Sequence, residues 1–323
     1  MTTASLDSSG AVDAPTAPPG ADQEQKRRAR RDGWVRRAPL LPALIFVIIM
    51  TQLPFLATIF ISFSKWTAFS GNQGFAGLDN FKTVFQDDAA RSAVFTTIKL
   101  TLLVVGISLV LGIGIALLLD RTFKGRGIVR TMMIAPFLIV PEAAALVWKH
   151  ALLDAQNGFF NGIITMVWGW FGDNSPPQPV WINSHPLGSI VVSLVWQWTP
   201  FMMLILLAGL QGRPMDVIEA AKVDGATGWQ IFTKMTLPHM RRYIELAGLL
   251  GAIYIVQNFE AVFTITSGGQ STANLPYYIQ QAFFAGTGEY GTASAAGVIT
   301  VVGTIIIATF ALRTVLVVLK EES

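Results

Sequence analysis

The chain contains no cysteine. This excludes disulfide bridges and thiolate metal sites and leaves the redox compartment open. Histidine is nearly as scarce: His150, His185 and His239 lie far apart, and none has the spacing of a zinc-ligand pair. Gly268 and Gly269 are not followed by Lys and Ser or Thr, so the phosphate-cradling Walker A loop is missing and the chain cannot hydrolyse ATP by that route. No Gly-x-Ser-x-Gly elbow is present, and Glu142, Glu245 and Glu260 stand isolated rather than clustered for acid–base work. Charge is also sparse. Asp, Glu, Lys and Arg make up 13% of the residues against 52% hydrophobic, with a mean hydropathy of +0.51, which is too apolar for an ordinary soluble domain.

What is abundant is long apolar sequence. A helix needs about 20 apolar residues to cross a bilayer, and six stretches qualify: 40–63, 98–119, 132–148, 190–210, 246–265 and 295–319. Pro136, Pro141 and Glu142 interrupt the third, which predicts a broken or kinked helix. The expectation is an all-α membrane protein with six transmembrane helices. With the N-terminus inside, sixteen Lys and Arg fall in cytoplasmic segments and five in external ones, so the positive-inside rule predicts cytoplasmic N- and C-termini and a cytoplasmic loop between spans four and five.

Residues 1–38 differ in material. Ala, Pro, Gly, Ser, Thr and Asp dominate the first 25, too few apolar groups to offset ordering entropy, so a disordered tail is expected. The basic cluster from Lys26 to Arg37 admits a nucleic-acid reading. Directly before a span it reads more simply as a translocation stop that contacts anionic lipid, with no nucleic acid implied. The apolar run from Leu40 is too long for a signal peptide. The organisation is therefore a basic cytoplasmic tail (1–38), a membrane domain (39–319) and a short cytoplasmic end (320–323).

The most informative stretch is the polar loop 212–242, which carries EAAKVDGATGWQIFTKMTLP from Glu219 to Pro238. Pro214 suits the first turn of a helix and Gly225 a left-handed stop. Thr227 and Gln230 have capping-box spacing, Ile231, Phe232 and Met235 give an apolar face, and Pro238 is expected to end the segment. Two short helices around a glycine turn follow. Glu219 and Lys222 lie on one turn as a possible ion pair, and Met215, Ile218 and Ala221 recur at helical spacing for entry into a groove.

That loop resembles the EAA loop of bacterial ATP-binding-cassette importer permeases. Glu219, Ala220, Ala221, Gly225, Leu237 and Pro238 fall on the family spacing, Asp224 precedes the glycine, and Met235 stands where the family has Ile. Shorter matches in the same order resemble maltose-type sugar permeases: Leu41-Pro42, Ser62 to Trp66, Gly77 to Phe81, Arg126-Gly127, Gly158 to Asn161, and Asn258 to Gly269, after which Gln270 replaces a common Pro. The resemblance implies a type I importer transmembrane domain in the bacterial cytoplasmic (inner) membrane, with no covalent chemistry and no cofactor of its own. It implies as partners a second homologous permease, two ATPase subunits that bind ATP and Mg, an extracytoplasmic solute-binding protein, membrane lipid and a sugar substrate. The loop would be the coupling helix that receives motion from the ATPase.

A solute path calls for hydrogen-bonding and aromatic side chains facing the bundle interior. Tyr254, Gln257 and Asn258 share one helical face at i, i+3 and i+4, with Glu260 beside them, and Trp196, Gln197 and Trp198 sit together in the fourth span. Each admits a second role, since Gln and Asn also tie helices together and Trp also forms interfacial belts. Glu142 likewise fits either a proton relay or a partner for freed backbone. An ion-coupled secondary transporter is the rival class; it commonly shows paired broken helices in inverted repeats, and the second half carries no counterpart to the broken third span.

Overall fold

The structure, a computed structural model, describes residues 38–172, 176–285 and 288–321. The expected tail falls almost wholly outside the described residues. The chain divides into two compact units, Met1–Ala57 and Thr58–Ser323. Among its described residues the first unit consists mainly of α1 (Leu41–Ser62), which crosses the boundary. Its side chains are apolar around the whole circumference, and Phe46, Ile48, Leu53 and Leu56 are exposed. Such a helix belongs in hydrocarbon or in a core.

The second unit opens with a hairpin, β1 (Ser64–Thr67) against β2 (Gly71–Phe75), antiparallel with Trp66 opposite Asn72. Asn80 of α2 (Asp79–Gln86) pins the hairpin by donating to the carbonyls of Ser62 and Ser64 at 2.8 and 2.9 Å. Asp87 then caps α3 (Asp88–Asp120), accepting from Ala89 N–H at 2.8 Å.

The centre is built from α3, α8 (Pro186–Gln211) and α11 (Leu237–Val256). Small residues make it possible. Ser108, Gly112 and Ala116 recur every four residues on α3 and are buried, the small-xxx-small pattern that lets membrane helices approach closely. A Cβ at Gly112 would stand 3.3 Å from Met203 N and 3.2 Å from a Leu206 methyl. Met203, Leu206, Leu207 and Leu210 of α8 fill the facing side. On α8 and α11, Gly209 receives the Tyr243 ring and Gly251 receives Met202.

The third predicted span is broken, as its prolines require. Helix α4 (Arg126–Leu138) and the segment from α5 (Pro141–Leu146) through a π turn (Val147–Leu152) meet at a 93° bend. Pro141 forces the preceding Val140 out of helical backbone and then sits harmlessly in the first turn of α5. Helices α6 (Phe159–Trp170) and α7 (Trp181–Ser184) follow; α9 (Met215–Val223) and α10 (Gly228–Ile231) lie between α8 and α11. Buried Asn161 joins the α6–α7 region, donating to Ala155 and Pro179 carbonyls and accepting from the Trp181 indole N–H.

The fifth predicted span is corrected. Helix α11 stops at Val256, and the chain turns through Gln257–Phe259 before a π turn (Val262–Thr266). Glu260 accepts from Phe259 N–H at 3.2 Å, and Asn274 donates to the Asn258 carbonyl, so the interrupted backbone finds partners that an unbroken helix would not offer. Helix α12 (Leu275–Phe284) precedes α13 (Tyr290–Glu321), which contains the sixth predicted span; its described apolar portion is Tyr290–Ile306. Among the described residues, α1, α3 and α8 are long and apolar enough to cross a bilayer, and a fourth span results if the bent pair counts as one.

The tight α3–α8 seam predicts that Gly112→Leu overpacks it at a cost of about 1–3 kcal/mol. Gly114→Leu, at a position with open space around it, should be tolerated. Thermal unfolding of the two variants in detergent checks this; equal midpoints would dismiss the seam as a constraint.

Candidate functional site

The loop between α8 and α11 folds as its local chemistry dictates. Asp224 is the last half-helical residue of α9 and Gly225 adopts φ +84°; Gly225 N–H donates to Lys222 O at 3.1 Å and Ala226 N–H to Ala221 O at 2.9 Å. This pair of bonds is a Schellman stop, which needs a left-handed residue after the helix. The capping box is formed as expected: Thr227 Oγ1 accepts from Gln230 N–H at 3.3 Å and Gln230 Oε1 accepts from Thr227 N–H at 2.8 Å.

Three expectations for the loop are corrected. Pro214 is the cap before α9 rather than its first residue. Pro238 does not end the segment: helix runs on from α10 through a π turn (Phe232–Thr236) into α11, where Pro238 occupies the first turn. Its missing N–H costs little there, because the π turn has already displaced the regular ladder. Glu219 and Lys222 make no ion pair; the pairs among the described residues are Lys82–Asp79, Arg91–Asp88, Arg213–Asp120 and Arg241–Glu245. Of the apolar repeat, Ile218 is buried, Ala221 half-buried and Met215 exposed. Ile218 and Met235 line a 240 Å³ cavity with Arg213, Pro214, Val217 and His239. Glu219, Ala220, Asp224 and Leu237 are exposed, and so are the large apolar side chains of Val223 and Trp229.

Arg213, which the sequence did not single out, holds this loop to the bundle. Its Nε donates to Leu210 O at 2.8 Å, Nη1 donates to Thr236 Oγ1 at 3.2 Å, and Nη2 pairs with Asp120. Both charged side chains are mostly buried, at 14% and 25% exposure. An acid at the C-terminal end of a helix opposes the helix dipole, and α3 has no basic residue in its last turn. Arg213 supplies the compensating charge.

The residues expected along a solute path are divided by the fold. Gln197 is buried, and its Nε2 donates to Ile139 O at 3.1 Å, a carbonyl released by the α4–α5 break. Trp196 turns the other way, edge-on to Trp148 with ring centres 5.9 Å apart. Tyr254, Gln257 and Asn258 do not share one helical face, because the helix ends at Val256: Tyr254 and Gln257 are exposed while Asn258 is buried with its Oδ1 unpartnered. Asn258 Nδ2 and Phe259 N–H both donate to the Glu260 carboxylate. Glu142 is exposed in the first turn of α5, where its charge complements the helix.

Trp198 and Tyr254 belong to an aromatic cluster that sequence reasoning found only in part. Trp198 lies 4.9 Å from Tyr254 and 5.6 Å from Phe137 between ring centres, and Phe137 stacks on Phe201 at 5.1 Å. Phe201 also meets Trp198 and Tyr254 edge-on. Tyr254 is 52% exposed, so the cluster presents a face rather than filling a core. The signal for Phe201 was available, three residues after Trp198 on one helix. Phe137 lies on another helix, and only the fold brings it near.

At the opposite end of α3 from Asp120, Tyr278 donates its hydroxyl to Asp87 at 2.7 Å. Burial, then this bond, pushes its pKa well above the usual phenol range. The Asp154 carboxyl is held below the ordinary range by the Asn157 and Gln156 backbone N–H groups.

Comparison with known proteins gives a consistent result. The profile of the family described as "Binding-protein-dependent transport system inner membrane component" matches residues 38–317. The chain is 30% identical over 263 residues to the trehalose/maltose transport system permease protein MalF of Thermococcus litoralis, covering 81% of this chain and 87% of that relative. It is 32% identical over 235 residues to the trehalose transport system permease protein SugA of Mycobacterium tuberculosis, covering 72% and 73%. Its fold is similar to a chain in the crystal structure of a bacterial alginate ABC transporter in complex with alginate pentasaccharide-bound periplasmic protein. The TM-score is 0.72 at 24% identity, over 91% of this chain and 96% of that one.

If Gln197 serves the broken helix, Gln197→Leu strands the Ile139 carbonyl and costs about 1–3 kcal/mol. Detergent unfolding should show the loss, whereas solute affinity of the protein that remains folded should be unchanged; a shift in affinity with no loss of stability assigns Gln197 to the solute path instead.

Proposed function

Because the chain belongs to the family of binding-protein-dependent transport system inner membrane components, we propose that it is the permease subunit of an ATP-driven importer and forms half of the path for a sugar across the bacterial cytoplasmic membrane. The observation that carries this reading is the loop itself. A Schellman-stopped helix and a capping-box helix present Glu219, Ala220, Val223 and Trp229 at one end of the bundle. The hairpin and α2 lie towards the other end of α3. In this reading that side, where the basic residues concentrate, faces the cytoplasm as the positive-inside rule predicts, both termini lie with it, and the chain crosses the membrane six times. In the broken and shorter segments, membrane-depth backbone is served by protein partners.

In this reading the chain performs no covalent chemistry. Two partner ATPases bind ATP and Mg, close on ATP and move the exposed face of α9; a second permease completes the path, and an extracytoplasmic binding protein delivers the solute. Transport is then a two-state equilibrium biased from both ends. The sugar assignment is supported by the named relatives, one named for a trehalose/maltose and the other for a trehalose transport system. It is supported also by the aromatic face of Trp198, Phe201 and Tyr254, since aromatic rings pack against the C–H faces of sugars and leave the hydroxyls to groups such as Gln257.

The test is uptake of radiolabelled trehalose and maltose by vesicles containing the full transporter. Vanadate should stop it. Gly225→Pro should abolish uptake without removing the protein from the membrane, because proline cannot adopt φ +84° and lacks the N–H bonded to Lys222 O. Full expression of that variant with normal uptake would sink the importer reading, as would vanadate-insensitive transport. Tyr254→Ala and Trp198→Ala should each weaken uptake by up to about tenfold, on the order of 0.5–1.5 kcal/mol per lost aromatic contact; unchanged uptake in both removes the aromatic face from the path.

A further inference from the structure

We propose that Arg213 is a positioning residue that locks both ends of the 212–242 loop to the end of α3, so that the loop and the α3 terminus move as one body. Three helix ends converge on one guanidinium. The Leu210 carbonyl belongs to the last turn of α8, Thr236 to the π turn that leads into α11, and Asp120 is the final residue of α3. The loop's entrance at Arg213 and its exit at Thr236 lie 23 positions apart in sequence and are tied directly to each other.

The chemistry explains why arginine is needed. A guanidinium presents five donors in a rigid planar fork, and here Nε, Nη1 and Nη2 each serve a different partner. Lysine keeps the charge but cannot hold three partners in a fixed plane. Burial matters too: a surface pair would be loosened by solvent and salt, whereas this pair is largely shielded. Force applied to the exposed side of α9 would therefore reach α3 directly as well as α8 and α11 through the chain. For the meaning of that force the proposal rests on the importer reading; for the rigidity of the joint it does not.

The absence of cysteine makes the joint directly measurable. Lys124, just past α3, and Val223, at the end of α9, are both exposed. Cysteines at these two sites carry spin labels for a distance measurement by pulsed electron resonance. In the permease alone, without nucleotide, a single narrow distance is expected. Arg213→Lys and Asp120→Asn should broaden it, and this arm decides the mechanical claim even where the importer reading fails. In the assembled transporter, ATP with vanadate should leave the unsubstituted distance unchanged and shift it in both variants. The variants should also move about tenfold less labelled disaccharide per ATP hydrolysed, the size of effect expected when a coupling of on the order of tenfold between sites is lost. An unaltered narrow distance in both variants overturns the proposal, as does a shift on ATP with Arg213 intact. If the variants only lower the amount of assembled transporter, with solute per ATP unchanged, Arg213 is a helix cap and the positioning role falls.

Discussion

Close approach of α3 and α8 is the constraint from which the rest of the membrane-facing architecture follows. In hydrocarbon, leucine against leucine gains little over leucine against lipid, so helices associate through contact distance and fit. Ser108, Gly112 and Ala116 supply the distance, because side chains any larger would hold the α8 backbone away from α3. Once α8 is fixed, Gly209 and Gly251 admit Tyr243 and Met202 and seat α11 against it. The broken α4–α5 segment then closes on α8 through Phe137 and Gln197. Specificity here comes from missing atoms more than from added interactions.

That arrangement creates a second demand. Helices that are broken or widened release backbone groups, and a low-dielectric surrounding makes an unmet group costly. The polar side chains are used for this purpose. Gln197 serves Ile139, Lys149 Nζ serves Thr264 O at 2.7 Å, Glu260 serves Phe259, and Thr97 Oγ1 accepts from Leu275 N–H at 2.9 Å. Gln197, read from the sequence as a solute contact, spends its Nε2 on the Ile139 carbonyl. Trp198, Phe201 and Tyr254 form an aromatic face, and Gln257 is exposed three residues after Tyr254.

How much of this could be read from sequence depends on the range of the interaction. The loop's turn and cap were legible: the Gly225 stop and the Thr227–Gln230 box are set by contacts within five positions. The break at Pro141 is equally local. By contrast, Gln257, Asn258 and Glu260 do not by themselves announce that α11 ends at Val256, since the partner that rewards the turn at Asn258, Asn274, lies 16 positions on. Arg213 and Asp120 are 93 positions apart, and nothing near either one announces the other. Pro238 was misread for a related reason: a proline stops a helix unless the preceding turn has already made room for it.

The aromatic cluster stands at a particular level of the fold. Phe137 comes two residues before the break at Ile139, Trp198 and Phe201 flank Pro200 inside α8, and Tyr254 comes two residues before α11 ends. Each of the three helices loses regular hydrogen bonding at that point, whether by a bend, a proline or a stop. Helices bend where their ladder is already interrupted, since no further bonds need be given up. A rotation imposed on the loop end of α8 and α11 therefore concentrates its angular change beside Trp198, Phe201 and Tyr254. Rings in contact at 5–6 Å between centres separate under a small change of that kind. In the proposed importer, the aromatic face offered to the sugar is thus also the part where the helices yield most readily.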